Sequence, residues 1–184
     1  MYRDLRVGIV PDGPGTPLAL LNQGDPMYRT SHTLSENIRV KAVESLNRHL
    51  AAAIDLHAQV KQAHWNVRGP AFIAIHELFD KVADVVEGYS DTIAERAAAL
   101  GGTAEGTIQV ALERSFLEPY ELGVDTEQAH IAAVTAALAG FGDSARKAID
   151  QSATLGDQAT SDVFTEVSRG IDKQLWLVES HLQR

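Results

Sequence analysis

Four stretches of the chain repeat apolar residues at intervals of three and four, the spacing of a helix with one buried face. The first spans about Ser35 to Val67 and carries Val43, Leu46, Leu50, Ile54 and Val60. Gly69-Pro70 ends it, and Pro70 suits the first turn of the helix that follows. The second presents Phe72, Ile75, Phe79, Val82, Val86, Ile93, Ala97 and Leu100 before Gly101-Gly102 stops it. A short segment at Ala104 to Glu113 reads as a connector helix. Asp125 and Gln128 resemble the start of a third long helix, with Ile131, Val134, Leu138, Phe141, Ala145 and Ile149. After Gly156-Asp157 the fourth presents Phe164, Val167, Ile171, Leu175, Val178 and Leu182. No strand-like alternation interrupts these patterns. The expected fold is all-α: a four-helix bundle over 34–184 with a short connector helix between the second and third helices.

Ahead of the bundle, residues 1–33 hold Gly8, Pro11, Gly13, Pro14, Gly15, Pro17, Gly24 and Pro26, which predicts a flexible or extended arm. The chain of 184 residues is long enough to bury a substantial core in one domain. No apolar run approaches the roughly 20 residues that span a bilayer, and the first residues lack the apolar stretch of a secretory signal. The expected compartment is the cytoplasm. Without cysteine there are no disulfides and no thiolate metal sites. A net charge of −9 opposes nucleic-acid binding by counterion release and suits the gathering of cations.

The second helix concentrates the candidate chemistry. His76/Asp80 and Asp91/Glu95 are each spaced i, i+4, so each pair shares a face. All four fall within an arc of about 100°, separate from the apolar stripe. Asp84 and Glu87 fall in the same sector, so angle alone does not choose among the six. Axial distance decides more. Asp80 and Asp91 are about 16 Å apart along a straight helix, whereas metal–oxygen bonds are about 2 to 2.6 Å long. One copy cannot bring both pairs to one ion. Two antiparallel copies across a two-fold axis can, joining His76 and Asp80 of one to Asp91 and Glu95 of the other. Mixed imidazole and carboxylate donors suit divalent iron, manganese or zinc. His64, with Trp65 beside it, lies near the end of the first helix, where a histidine is also favoured by the helix dipole.

His64-Trp65-Asn66, Gly69, Phe72, His76, Asp80, Asp91 and Glu95-Arg96 resemble, in order and spacing, the Dps family of DNA-protection mini-ferritins. The stretches KQAHWNVRGPAFIAIHELFD, DTIAERAAALGG and IDKQLWLVES are similar to that family too, and the likeness covers about 36–182. The resemblance implies a ferritin-like subunit assembled into a hollow homododecamer. It also implies ferroxidase sites shared between subunits, with iron held there as a di-iron or mononuclear site. His64, His76 and Asp80 would come from one subunit, and Asp91 and Glu95 from its two-fold partner. Ferrous iron would be oxidised, preferably by hydrogen peroxide, and ferric mineral stored inside. Trp65 would sit beside the site as a radical scavenger or electron donor.

Ordinary ferritins place a di-iron site inside one bundle, with paired Glu-x-x-His motifs. Only Glu127-Gln-Ala-His130 matches here, and it reads as a helix-surface pair. Asp150, Asp157, Asp162 and Glu166 gather at the turn between the third and fourth helices, a region that in mini-ferritins borders an acidic three-fold pore. Capping by Asp157 or Thr160 is the competing reading. His32, His49, His57, His130 and His181 are given no metal role, with His49 and His57 as the one pair that could form an accessory site. The alternative function is a nucleoid-associated DNA-binding protein with a secondary metal site. Against it, the arm has no lysine before Lys41, and Arg3, Arg6 and Arg29 are offset by Asp4, Asp12 and Asp25.

Overall fold

The computed structural model describes residues 27–182; most of the expected arm, 1–26, lies outside the described residues. Five helices follow in order: α1 (Glu36–Asn66), α2 (Phe72–Ala99), α3 (Ile108–Arg114), α4 (Glu127–Leu155) and α5 (Gln158–Glu179). The chain forms the expected all-α bundle of four long helices with one short connector helix, and among the described residues there is no strand. α1 packs along α2, α4 along α5, and the pairs meet through α1 with α4 and α2 with α5; α3 lies on α1.

The direction of each helix follows from its end contacts. Gly69, just past α1, lies against Glu127 at the start of α4, while Gly156, just past α4, approaches Ile38 near the start of α1. α1 and α4 therefore run antiparallel, and the connection from α2 to α4 crosses the length of the bundle. This leaves His64, His76 and the start of α4 at one end. Glu95, Arg96 and the α4–α5 turn lie at the other, joined by Arg96 and Asp157.

The apolar stripes become the core. Leu46, Leu50, Phe79, Val82, Val86, Ile93, Leu138, Phe141, Phe164, Val167 and Ile171 are all buried in one cluster. Phe72, expected in that stripe, is exposed at the tip of α2. Burial of such side chains supplies the main drive for folding, about 1.5–3 kcal/mol for each large one.

Four boundaries differ from expectation. The connector helix begins at Ile108 rather than Ala104, because Thr107 caps it by accepting a hydrogen bond from the Val110 N–H. Pro70 lies in the link between α1 and α2, because Ala71 takes the cap position at φ −101°, ψ 21°. Thr126 caps α4 by accepting a hydrogen bond from the Ala129 N–H, and the start is one of side-chain capping that Asp125 does not provide. Residues 27–34 are tied to the bundle: Tyr28 N–H donates to Gly101 O at 2.6 Å, and Arg39 reaches Leu34 O and Leu100 O. The Arg39 guanidinium thus satisfies the Leu100 carbonyl at the C-terminus of α2, where the helix dipole favours a cation, and ties it to Leu34 ahead of α1.

Candidate metal centre

His64 occupies the last turn of α1 and His76 the second turn of α2. Their rings stack with centroids 3.8 Å apart. His64 Nδ1 lies 2.8 Å from His76 O, and His76 Nδ1 lies 2.9 Å from His64 O. A carbonyl oxygen can only accept, so each Nδ1 carries the proton and each Nε2 carries the lone pair in the neutral ring. The reciprocal bonds fix two tautomers at once. They also satisfy His64 O, one of the carbonyls left over at a helix end.

Asp80, one turn beyond His76, places Oδ1 3.8 Å from His64 Nε2. The same oxygen accepts a hydrogen bond of 2.6 Å from Lys61 Nζ. That bond, together with the charge of Lys61, holds the Asp80 carboxyl below the usual carboxylate range; partial desolvation opposes it. Asp80 therefore stands ready as an anion, though engaged by an ammonium. Lys61 also lies over the Trp65 ring, 5.9 Å from its centroid. Trp65 is 66% exposed, and Phe72 and Ile73 beside His76 are exposed as well. The His64 pair is thus rimmed by apolar side chains that the described residues do not cover.

His64, His76 and Asp80 are brought together; Asp91 and Glu95 are not brought to them. Both lie exposed further along α2. With Asp80 turned to Lys61, no three histidine or carboxylate groups among the described residues converge to hold one ion.

Of the acidic residues near the α4–α5 turn, Asp150, Asp162 and Glu166 are exposed, whereas Asp157 is 1% exposed. Asp157 accepts hydrogen bonds from Arg96 Nη2 at 2.8 Å, Thr160 N at 3.1 Å and Thr160 Oγ1 at 2.5 Å. It is the cap of α5 and the partner of a largely buried arginine, the competing reading anticipated for it.

Two sequence readings need correction. His49 does not pair with His57: it is 3% exposed, boxed by Phe116, Phe141 and Phe164, with Nδ1 bonded to Ser45 O and Nε2 to Ser144 Oγ. Its place one turn after Leu46, on the apolar stripe, was the available signal. Glu127-x-x-His130 is not a surface pair either. His130 is 2% exposed, with Nδ1 2.5 Å from Tyr120 Oη, and Glu127 Oε2 accepts from Ala71 N–H at 3.0 Å. His130 stands four residues before Val134 on the apolar stripe, which was the available signal, whereas Glu127 meets Ala71 from 56 residues away, which periodicity within α4 does not reveal. Burial pushes the Tyr120 phenol up to about 12 and pulls His130 down, so both stay neutral near pH 7.

Long antiparallel helices joined by a crossover that carries one short helix define the ferritin-like class, and the profile of the ferritin-like domain matches residues 43–184. The DNA protection during starvation protein of Agrobacterium fabrum is 40% identical over 156 residues, covering 85% of this chain and 96% of that protein. The structure of Mycobacterium smegmatis Dps in its tetragonal form superposes with a TM-score of 0.81 at 33% identity, covering 86% of this chain and 96% of that one. DpsC from Streptomyces coelicolor gives a TM-score of 0.83 at 28% identity, over 89% and 96% of the two chains. The chain belongs to the Dps family of ferritin-like proteins. Among the described residues no helix is long and apolar enough to cross a membrane.

Proposed function

We propose that this protein is a ferroxidase that oxidises ferrous iron, preferably with hydrogen peroxide, at sites shared between two-fold-related subunits. Ferric mineral would be stored within a homododecameric shell. The observation that carries this reading is the reciprocal lock of His64 and His76, which commits each Nδ1 to a carbonyl, leaves Nε2 as the ligand atom of each stacked ring, and sets His64 Nε2 3.8 Å from an oxygen of the anionic Asp80. Imidazole and carboxylate together suit iron: nitrogen favours the ferrous ion, and hard oxygen donors favour the ferric product.

One chain supplies only part of the donor set. Asp91 and Glu95 of a second copy, packed antiparallel along α2, complete it, and the exposed rim of Trp65, Phe72 and Ile73 is the apolar surface such packing would cover. Trp65 then stands beside the iron as an oxidisable aromatic group. Lys61 holds Asp80 until the ion arrives and must release it on binding. Asp150, Asp162 and Glu166 remain exposed to draw ferrous ions toward the shell, a route in which Asp157 is already committed to Arg96. The DNA protection in the names of the relatives is, on this reading, achieved by removing iron and peroxide, since a net charge of −9 repels the phosphate backbone.

The test is anaerobic loading with ferrous iron, followed by separate additions of peroxide and oxygen while ferric absorbance is recorded. Fast, saturable oxidation by peroxide is expected. In the double variant Asp91→Ala with Glu95→Ala the fast phase disappears while helicity and shell size persist. Unchanged kinetics in that variant would refute the shared site.

A further inference from the structure

The link between α1 and α2, residues 67–71, sets the register in which His64 and His76 exchange their hydrogen bonds, yet little within it holds it in place. Val67 N–H closes the last turn of α1 on Ala63 O, and Phe72 N–H reaches back to Gly69 O. Pro70 has no N–H to give. At the start of α2 the cap residue is Ala71, which has no side-chain acceptor, and the first turn contains no acid. A helix beginning this way lacks both of the usual stabilisers of its N-terminus.

Glu127 of α4 supplies both from outside. Its Oε2 accepts the Ala71 N–H at 3.0 Å and brings a carboxylate to the positive end of the α2 dipole. The same side chain fills the space above Gly69. A Cβ on Gly69 would stand 2.7 Å from Glu127 Cδ and 2.8 Å from Glu127 Cβ, and would collide with Oε2. Only glycine allows so close an approach, and only a side chain reaching across from α4 makes use of it. The fit between Gly69 and Glu127 is therefore specific to this contact.

We propose that Glu127 is a positioning residue for the metal centre, a cap for α2 supplied by another helix that holds the 67–71 link and so the register of His64 against His76. The proposal rests on the iron-oxidising reading of those histidines. It also accounts for half of the lone Glu-x-x-His motif: Glu127 acts on backbone rather than on metal. Without the clamp, α2 begins less firmly, His76 Nδ1 loses its fixed distance to His64 O, and the two Nε2 atoms no longer present one arrangement to an ion.

The assembled full-length protein is compared as wild type, Glu127→Ala and Glu127→Gln, with helicity and shell size confirmed for each. Hydrogen exchange by mass spectrometry follows the peptide covering 67–76, and anaerobic cobalt(II) titration follows the visible ligand-field band and its affinity. Glu127→Ala is expected to speed exchange in that peptide about tenfold and to weaken cobalt binding by about the same factor, with an altered band. Glu127→Gln retains an acceptor oxygen but loses the charge at the helix dipole, so both should fall between wild type and Glu127→Ala. Wild-type exchange in Glu127→Ala overturns the proposal, as does faster exchange with unchanged cobalt affinity and spectrum. If wild type itself binds no cobalt, or binds it equally well as His76→Ala, the metal reading of the histidines fails instead. The exchange arm then decides by itself whether Glu127 holds the link.

Discussion

Asp157 separates two roles that its place in the sequence leaves equally open, and its replacement by alanine shows which is right. The carboxylate is 1% exposed and receives Arg96 Nη2, Thr160 N and Thr160 Oγ1. Removing one partner of a buried ion pair typically costs about 3–5 kcal/mol, because the other charge is left uncompensated. The Arg96 side chain keeps 15% of its surface and a second hydrogen bond to Thr160 Oγ1, which points to the lower end, about 3 kcal/mol. Loss of the α5 cap falls within the same figure. For a domain of this size each kcal/mol moves Tm by roughly 2–4 °C, so Asp157→Ala should melt about 6–12 °C below wild type. Asp157→Asn keeps an acceptor for Thr160 N–H and loses the charge; it should fall between the two. Melting is followed by circular dichroism at one protein concentration, since assembly makes Tm depend on concentration. Initial rates of ferrous uptake are recorded below both transitions. A Tm within about 2 °C of wild type, combined with slowed uptake, would refute the structural role and return Asp157 to the wall of a pore.

Two further outcomes follow from the geometry. Lys61→Met removes the ammonium that holds Asp80 and keeps the aliphatic stem, so cobalt(II) should bind about two- to fivefold more tightly in an anaerobic titration; unchanged or weaker binding would remove Lys61 from the site. Burial lowers the pKa of His49 from its ordinary 6.5, against the opposing hydrogen bonds of Ser45 and Ser144, so the fold prefers the neutral ring. The unfolded chain then binds more protons as the pH drops below 6.5, and stability declines with acidification. In His49→Gln the fall of Tm between pH 6.5 and about 4.5 should be shallower than in wild type, only in part because His130 is shifted in the same direction; parallel curves would show that His49 does not contribute.

Much of this molecule is local in origin. The helix stripes of Leu46 and Leu50, Phe79 and Val82, Leu138 and Phe141, and Phe164 and Val167 are read from three-and-four spacing and became the core, because burying one face of a helix is a matter of sequence period. The separation of Asp91 and Glu95 from His76 and Asp80, too long for the four to meet at one point in the same chain, is likewise local. It needs only the rise of a helix, and the exposed position of both acids on α2 agrees with it. Spacing also brought His76 and Asp80 onto one face, with Arg96 one residue from Glu95.

What spacing does not contain is the partner of each polar group. That Lys61 holds Asp80, that Glu127 caps α2, that Asp157 answers Arg96 and that His49 bonds to Ser144 all depend on segments 19 to 95 residues apart. Hydrogen bonds act over about 3 Å, and a helical period places a side chain on a face without saying what stands opposite. The sequence by itself determined the helices, their buried faces and the imidazole and carboxylate side chains that share one face of α2. Only the tertiary structure decided which tautomers the two histidines keep, which carboxylate is free and which is already bound, because those follow from how the four helices meet.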